Sequence, residues 1–417
     1  MAHPYADLLR DRHVRVLWAG LALSAVGGEL YRVGAIWLAT EAAGANAALL
    51  VTAQSAAILV VSLFGGPLAE RFPRGPFLIA TDLASAAACL AVVVSALSGG
   101  LDLPTLVVAS VLLSAFGGLA RPVFLSSLPA LVGPERIRAV NGLFDGVVRV
   151  AQAAGPFLAA AALAAIPAVH LLSANAASFL VSAAAILTLG RRLEPTAVAP
   201  SASRPDLLRR LARGVHAANA CPGVWAALLA TAVRGGAYAL GFTVAVPLLF
   251  AQSEGAGGLG AVALVFGAAA AAELLAGPVL VLGEPRRPLR RQFEGYVMIG
   301  LSLALVGAAA ALPHSSRLPA MVAAAALMGV ANAVAGLQMM TFFAARLASD
   351  DHAAVLRLRL VLVISAMMAA SAMGPLFLRA LGPATTTIGC GLLAAAGGLA
   401  GALSRPSRTL GPGFKPS

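Results

Sequence analysis

Ionisable side chains set inside long apolar stretches are the residues of this chain best placed to do chemistry. A charge in hydrocarbon is costly and persists only with a partner, a proton or a ligand. Glu29 and Arg32 stand three apart in one apolar block, and Asp145 and Arg149 stand four apart in another. Both spacings put the two side chains on one helical face, where they can pair. Arg234 has no acidic neighbour in sequence, and Glu273 is a lone carboxylate. A carboxylate in such a setting can carry a proton, and an arginine can hold a carboxylate, phosphate or catecholate. Glu29, with Glu273 second, is therefore a proton-coupling candidate, and Arg32 and Arg234 are candidates for holding a ligand. A closed structural ion pair is the competing reading for Glu29–Arg32 and for Asp145–Arg149, and Arg234 is also a candidate partner for Glu29. No nucleophile–base set, metal-ligand spacing or Walker motif accompanies these charges. That argues against an enzyme, a metal site, a cofactor and an ATP-driven machine.

The elements that must position these groups are legible from composition. Of the 417 residues, 60% are hydrophobic and 11% charged, and the mean hydropathy is +0.89. Soluble domains carry roughly a quarter charged residues. The apolar excess is divided into blocks of about 20 residues or more, the length that crosses a bilayer core. The expected spans are 14–40, 47–69, 77–97, 104–124, 139–166 and 168–190, then 224–250, 259–282, 293–312, 318–347, 355–381 and 384–403. The first apolar stretch is too long for a cleavable leader and is read as the first span. The fold class expected is all-α integral membrane, with twelve transmembrane helices in two six-helix bundles.

Basic residues orient the spans. Of the 29 Lys and Arg, Arg317 and Arg379 fall on the outer side, and Arg32, Arg121, Arg149 and Arg234 fall within spans. All the others fall on one side, which is the cytoplasmic one. Both termini are thus expected in the cytoplasm. The net charge of +12 then follows from topology, with no nucleic-acid partner implied. The two halves also repeat. WAGLALSAVGGELYRVG (18–34) aligns with WAALLATAVRGGAYALG (225–241), Gly66–Pro67 and FPRGP (72–76) with Gly277–Pro278 and EPRRP (284–288), and Gly155–Pro156 with Gly374–Pro375. The domains expected are a bundle over 1–190, a cytoplasmic basic linker over 191–222, a second bundle over 223–404 and a tail over 405–417. Within the linker, Arg209, Arg210 and Arg213 suit either a basic amphipathic helix near anionic headgroups or a solvated connection.

These features resemble the major facilitator superfamily. Its loop signature between the second and third spans, a Gly, a Leu-Ala-Asp-Arg core and a final Gly with basic residues, corresponds here to GPLAERFPRG (66–75). Glu70 stands in place of Asp, and Pro73 in place of Gly. Glu70, Arg71 and Arg74 can form an ion-pair latch at the cytoplasmic helix ends, with Asp82 and Arg121 as further members. The stretch RPVFLSSLPALVGPERIRAVNGL (121–143) looks like the enterobactin-exporter and macrolide-efflux branch. Gly146, Ala151, Ala154, Gly155 and Pro156 keep part of the exporters' Gly-Pro motif on the fifth span. Small residues there allow close packing and the proline permits a bend, so Gly155 and Pro156 join Asp145 and Arg149 as gating candidates.

Among neutral polar residues, Tyr31 and Tyr238 occupy matching repeat positions, and Asn332 and Gln338 lie in a Met- and Phe-rich tenth span. They are ligand-contact candidates, with interhelical hydrogen bonding as the bland alternative. The function these readings imply is secondary active transport: proton-coupled efflux of a small amphiphilic molecule, a drug or a siderophore-like metabolite, with the arginines leaning towards an anion. Uptake of an organic anion, or a non-transporting sensor or scaffold, are the rivals. The expected setting is a bacterial inner membrane, as a monomer whose partners are substrate, protons and lipid.

Overall fold

A computed structural model describes residues 4–69, 71–193, 207–280 and 287–404. Glu70, Arg286, linker residues 194–206 and the tail 405–417 lie outside the described residues. Among those described, every regular element is helical. The chain divides into two compact units, one of residues Met1–Ala43 with Ala57–Ala202 and one of Gly44–Ala56 with Ser203–Ser417.

The first unit contains α1 (Pro4–Arg10) and α2 (Arg12–Ala43), part of α3 (Ala48–Ala69), then α4 (Arg74–Leu97), α5 (Leu103–Val132), α6 (Ile137–Leu163) and α7 (Val169–Leu189). Local chemistry sets several of these ends. Asp102 caps α5, its carboxylate accepting from the Thr105 backbone N–H at 2.9 Å, with Pro104 in the first turn. A bond from the Thr105 side chain, together with that backbone bond, holds the Asp102 carboxyl below the usual carboxylate range. The break expected at Pro167 falls between α6 and α7. α7 packs on both α2 and α4, and α2 packs on α6. At one end of this unit Leu8, Leu17, Leu78, Leu128, Phe144 and Ile186 form a buried apolar cluster.

The second unit contains α8 (Leu207–Ala220), α9 (Val224–Tyr238), α10 (Ala245–Glu254), α11 (Gly258–Leu280), α12 (Pro288–Ala308), α13 (His314–Arg346), α14 (Ser349–Ala372), α15 (Gly374–Leu381) and α16 (Pro383–Leu403). α12 lies against α13 and α16, and α9 against α14 and α16. The α12–α16 approach is backbone to backbone. A Cβ on Gly391 would collide with the Ala304 amide and the Gly300 carbonyl, so only glycine fits. One π-helical turn, Ala239–Val244, joins α9 to α10. Such a turn displaces a backbone hydrogen bond, and Thr387 of α16 donates its hydroxyl to the Gly241 carbonyl at 3.0 Å.

Eleven helical stretches among the described residues are long and apolar enough to cross a membrane. The first, Arg12–Gly65, runs 54 residues and includes a tight turn at Gly44, whose φ is +54°. Large apolar side chains point outward around the helices, with Leu275 at 72%, Leu187 at 68% and Val94 at 65% exposure. In water that surface would aggregate; against lipid tails it is matched.

Two sequence expectations change. The eleventh span was expected over 355–381, with Arg357 and Arg359 counted on the cytoplasmic side. α14 instead starts at Ser349, with Asp350 and Asp351 in its first turn, where acids suit the positive end of the helix. Arg359 therefore sits about 15 Å along the helix at ~1.5 Å per residue. The linker helix α8 is also neither free nor solvated on all sides. It packs on α14, with Arg213 donating to Asp351 at 2.8 Å and to Asp350 at 3.3 Å. Gly214 lies so close to the Ala354 carbonyl that a Cβ there would meet it at 2.7 Å. Arg213 and Asp350 are exposed and Asp351 is half-buried, so the pairs orient the helix more than they stabilise the fold. Arg213→Glu is expected to loosen α8 and speed tryptic cleavage at Arg209 and Arg210 several-fold in detergent, leaving the overall unfolding temperature nearly unchanged. Unchanged cleavage would mean that the Gly214 packing alone holds the helix.

Candidate functional site

Each unit gathers its own set of polar groups. In the first, a cavity of about 730 Å³ is lined by α2, α4, α5, α6 and α7. Its wall is mostly apolar, and into it come Glu29, Asp82, Arg121 and Asp145, with Ser24, Asn141 and Ser182. Arg32 Nε donates to Glu29 Oε2 at 2.7 Å, and Nη2 lies 2.7 Å from the same oxygen. The Glu29 side chain is 14% exposed and that of Arg32 40%. The i, i+3 pairing suggested by the spacing is therefore formed, with its carboxylate on the cavity wall.

Glu29 is held in place by the helix facing it. Gly155 of α6 lies directly against Glu29, and a Cβ at that position would run into the Glu29 Cβ and come within 3.0 Å of its Cγ. Pro156 follows inside an α6 that continues to Leu163. Asp145 and Arg149 also pair, at 2.8 Å, but both are more than half exposed. Asp82 lines the cavity together with Ser182, and its Oδ2 is buried without a partner. Arg121 lines the same cavity, and among the described residues no ion pair joins it to Asp82. Arg74 donates to the Ser126 carbonyl of α5 at 2.8 Å, and Arg71 is exposed. The latch residue Glu70 lies outside the described residues. Tyr31 is buried, its phenol hydrogen-bonded to the Ser110 hydroxyl.

In the second unit Arg234 of α9 donates to the Asn332 side-chain oxygen of α13 at 3.0 Å, while its Nε is buried with no partner. Gln338 is 4% exposed and its side-chain oxygen is likewise unpartnered. Tyr238 is half-buried and packs against Phe242, ring centroids 5.1 Å apart. Glu273 is half-buried on α11, and among the described residues it makes no ion pair. Sequence reasoning missed a buried polar chain here. The Tyr296 hydroxyl meets Thr231 Oγ1 at 2.7 Å and Gln292 Nε2 at 3.2 Å. It also missed Arg359, whose Nε is buried without a partner. The signal for Arg359 was present, since an arginine followed by an unbroken apolar run can as well be inside a helix as before it.

Long apolar helices with lipid-matched outer faces define a multi-pass membrane protein. Comparison with known proteins gives the same class. A profile of the Major Facilitator Superfamily matches residues 17–357, and the chain belongs to that family. No curated protein sequence gives a significant match. Among solved structures, a bacterial homologue of the iron transporter ferroportin in its inward-facing state aligns with a TM-score of 0.70 at 15% identity, covering 94% of this chain and 99% of that one. An auto-inhibited peptide transporter of the POT family aligns at 0.68 and 15% identity, covering 97% and 99%. A bacterial homologue of the lysosomal transporter Spinster aligns at 0.65 and 14% identity, covering 96% and 98%. At such identities the likeness is one of fold.

Proposed function

We propose that this transporter is a proton-coupled exporter of a small amphiphilic anion, a drug or a siderophore-like metabolite, working by alternating access in a bacterial cytoplasmic membrane. The observation that carries the reading is the pairing of Glu29 with Arg32 on the wall of a 730 Å³ cavity, together with the uncompensated Arg234. Protonation of Glu29 removes its hold on Arg32, and an anionic substrate arriving from the cytoplasm competes for the same arginines. In this reading Asp145, Arg149, Gly155 and Pro156 belong to the moving fifth span. Glu70, Arg71, Arg74, Asp82 and Arg121 form the cytoplasmic latch. Tyr31, Tyr238, Asn332 and Gln338 shape the substrate path.

Twelve crossings with both termini cytoplasmic complete the proposal. A stretch of 54 residues with a turn at Gly44 supplies two crossings of about 20 residues each, which brings eleven stretches to twelve. The likeness to enterobactin and macrolide exporters over 121–143 supports export, and the halves divide at the linker 191–222. The protein acts as a monomer.

The test is transport into inside-out vesicles under an imposed proton gradient, with a panel of drugs and siderophores. Wild type is expected to accumulate at least one anionic compound in a gradient-dependent way, and Glu29→Gln to lose that dependence. An unaffected variant would move the coupling carboxylate to Glu273. Accumulation only in right-side-out vesicles would make the protein an importer of organic anions. No transport in either orientation would leave a sensor or scaffold.

A further inference from the structure

Arg234 and Arg359 stand on two helices of the second unit, α9 and α14, that pack against each other. Directly after Arg234, α9 approaches α14 so closely that a Cβ on Gly235 would meet Val363 Cγ1 at 2.9 Å, and one on Gly236 would meet the Ala366 carbonyl at 2.9 Å. Arg359 precedes Val363 by one helical turn and so shares its face. The two guanidinium groups interact electrostatically with each other, and Arg359 does so with the Tyr296 phenol as well. Both are half-buried, and the Nε of each is buried without a partner.

Nothing described in this unit neutralises the pair. α9, α13 and α16 carry no acidic residue at all. Asp350 and Asp351 of α14 are bonded to Arg213, and Glu294 of α12 is bonded to Arg290 at 2.8 Å. Glu273 of α11 forms no ion pair among the described residues. The one acceptor on Arg234 is the neutral amide oxygen of Asn332, which satisfies a donor without cancelling a charge. Two like charges in a half-buried setting repel, and the arrangement is relieved when an anion enters between them. The planar donor fork of arginine matches an oxyanion with two or more oxygens.

We propose that Arg234 and Arg359, with Asn332 orienting the former, form a two-guanidinium subsite for an oxyanion headgroup, a carboxylate or a phosphate. The proposal rests on the anionic substrate class inferred above and adds Arg359 as a second ligand-holding residue. The same chemistry is offered by a soluble substrate and by an anionic lipid, so the test has arms for both.

The experiment is thermal unfolding of the purified full-length protein in neutral detergent, without any gradient or transport. The probes are salicylate, its neutral isostere salicylamide, inorganic phosphate and phosphatidylglycerol. Salicylate or phosphate at saturating concentration is expected to raise the unfolding temperature of wild type by about 2–4 °C, with salicylamide inert. Arg359→Gln is expected to abolish the shift and, without ligand, to unfold at a higher temperature than wild type because the repulsion is gone. Arg359→Lys keeps the charge and loses the fork, so it should keep the ligand-free temperature and lose most of the shift. A shift seen with phosphatidylglycerol alone and lost in Arg359→Gln supports the subsite and assigns its occupant to lipid. A shift retained in both variants, a shift from none of the three anions, or a ligand-free Arg359→Gln that melts below wild type while Arg359→Lys does not, overturns it. Because no transport is measured, failure of the export reading leaves this result standing, and the reverse also holds.

Discussion

Gly155→Leu is expected to abolish transport and to destabilise the protein strongly. The Cβ that leucine adds runs into Glu29, whose side chain cannot swing away without breaking its bond to Arg32. Nor can α2 easily retreat, because its other side is packed on α7. Overpacking of this kind destabilises by about 1–3 kcal/mol, and the larger, branched side chain belongs at the upper end. Gly155→Ala should fall between the two. Gly146, nine positions earlier in the same motif, supplies the control. A Cβ there meets nothing within 4 Å, so Gly146→Ala should be neutral, or stabilising by about 0.5–1 kcal/mol through helix propensity alone. Thermal unfolding in detergent reads all three. Equal effects at positions 155 and 146 would show that the Gly-Pro motif acts through helix flexibility and not through contact with Glu29.

The second large effect is an asymmetry between the members of the Glu29–Arg32 pair. Removing Arg32 leaves a carboxylate whose side chain is 14% exposed, whereas removing Glu29 leaves an arginine that is 40% exposed. Breaking a buried pair from one side destabilises by about 3–5 kcal/mol, and the exposure of Arg32 reduces that here towards the lower figure. Arg32→Gln is therefore expected to lower stability by roughly 3 kcal/mol and Glu29→Gln by much less. The double variant should recover most of the loss, since neither charge then remains unpaired. The cycle is read by denaturant or thermal unfolding. Additive effects would mean that the two residues act independently despite their 2.7 Å contact.

That pair also marks where sequence reading works. Glu29 and Arg32 are three residues apart on one helix, so the spacing alone brings them together. The same holds for Asp145 and Arg149. The alternation of apolar blocks with arginine-bearing connections, and the break near Pro167, are equally local signals. The limits of local signal appear at α14. Arg357 and Arg359 were counted with the cytoplasmic side, while Asp350 and Asp351 stand in the first turn of a helix that already begins at Ser349.

The sequence by itself determined the solvent this chain is built for, the helices that meet it and the pairs formed within a single helix, because each depends on residues a few positions apart. Only the tertiary structure decided that Gly155 touches Glu29, that Asp82 and Ser182 share a cavity wall, and that α8 is clasped by α14. It alone packed the helix of Arg359 against that of Arg234, with 124 positions of chain between the two residues. The physical reason is that helices in lipid choose their neighbours by close packing of small residues. In a chain rich in alanine and glycine, many packings look alike until one is realised.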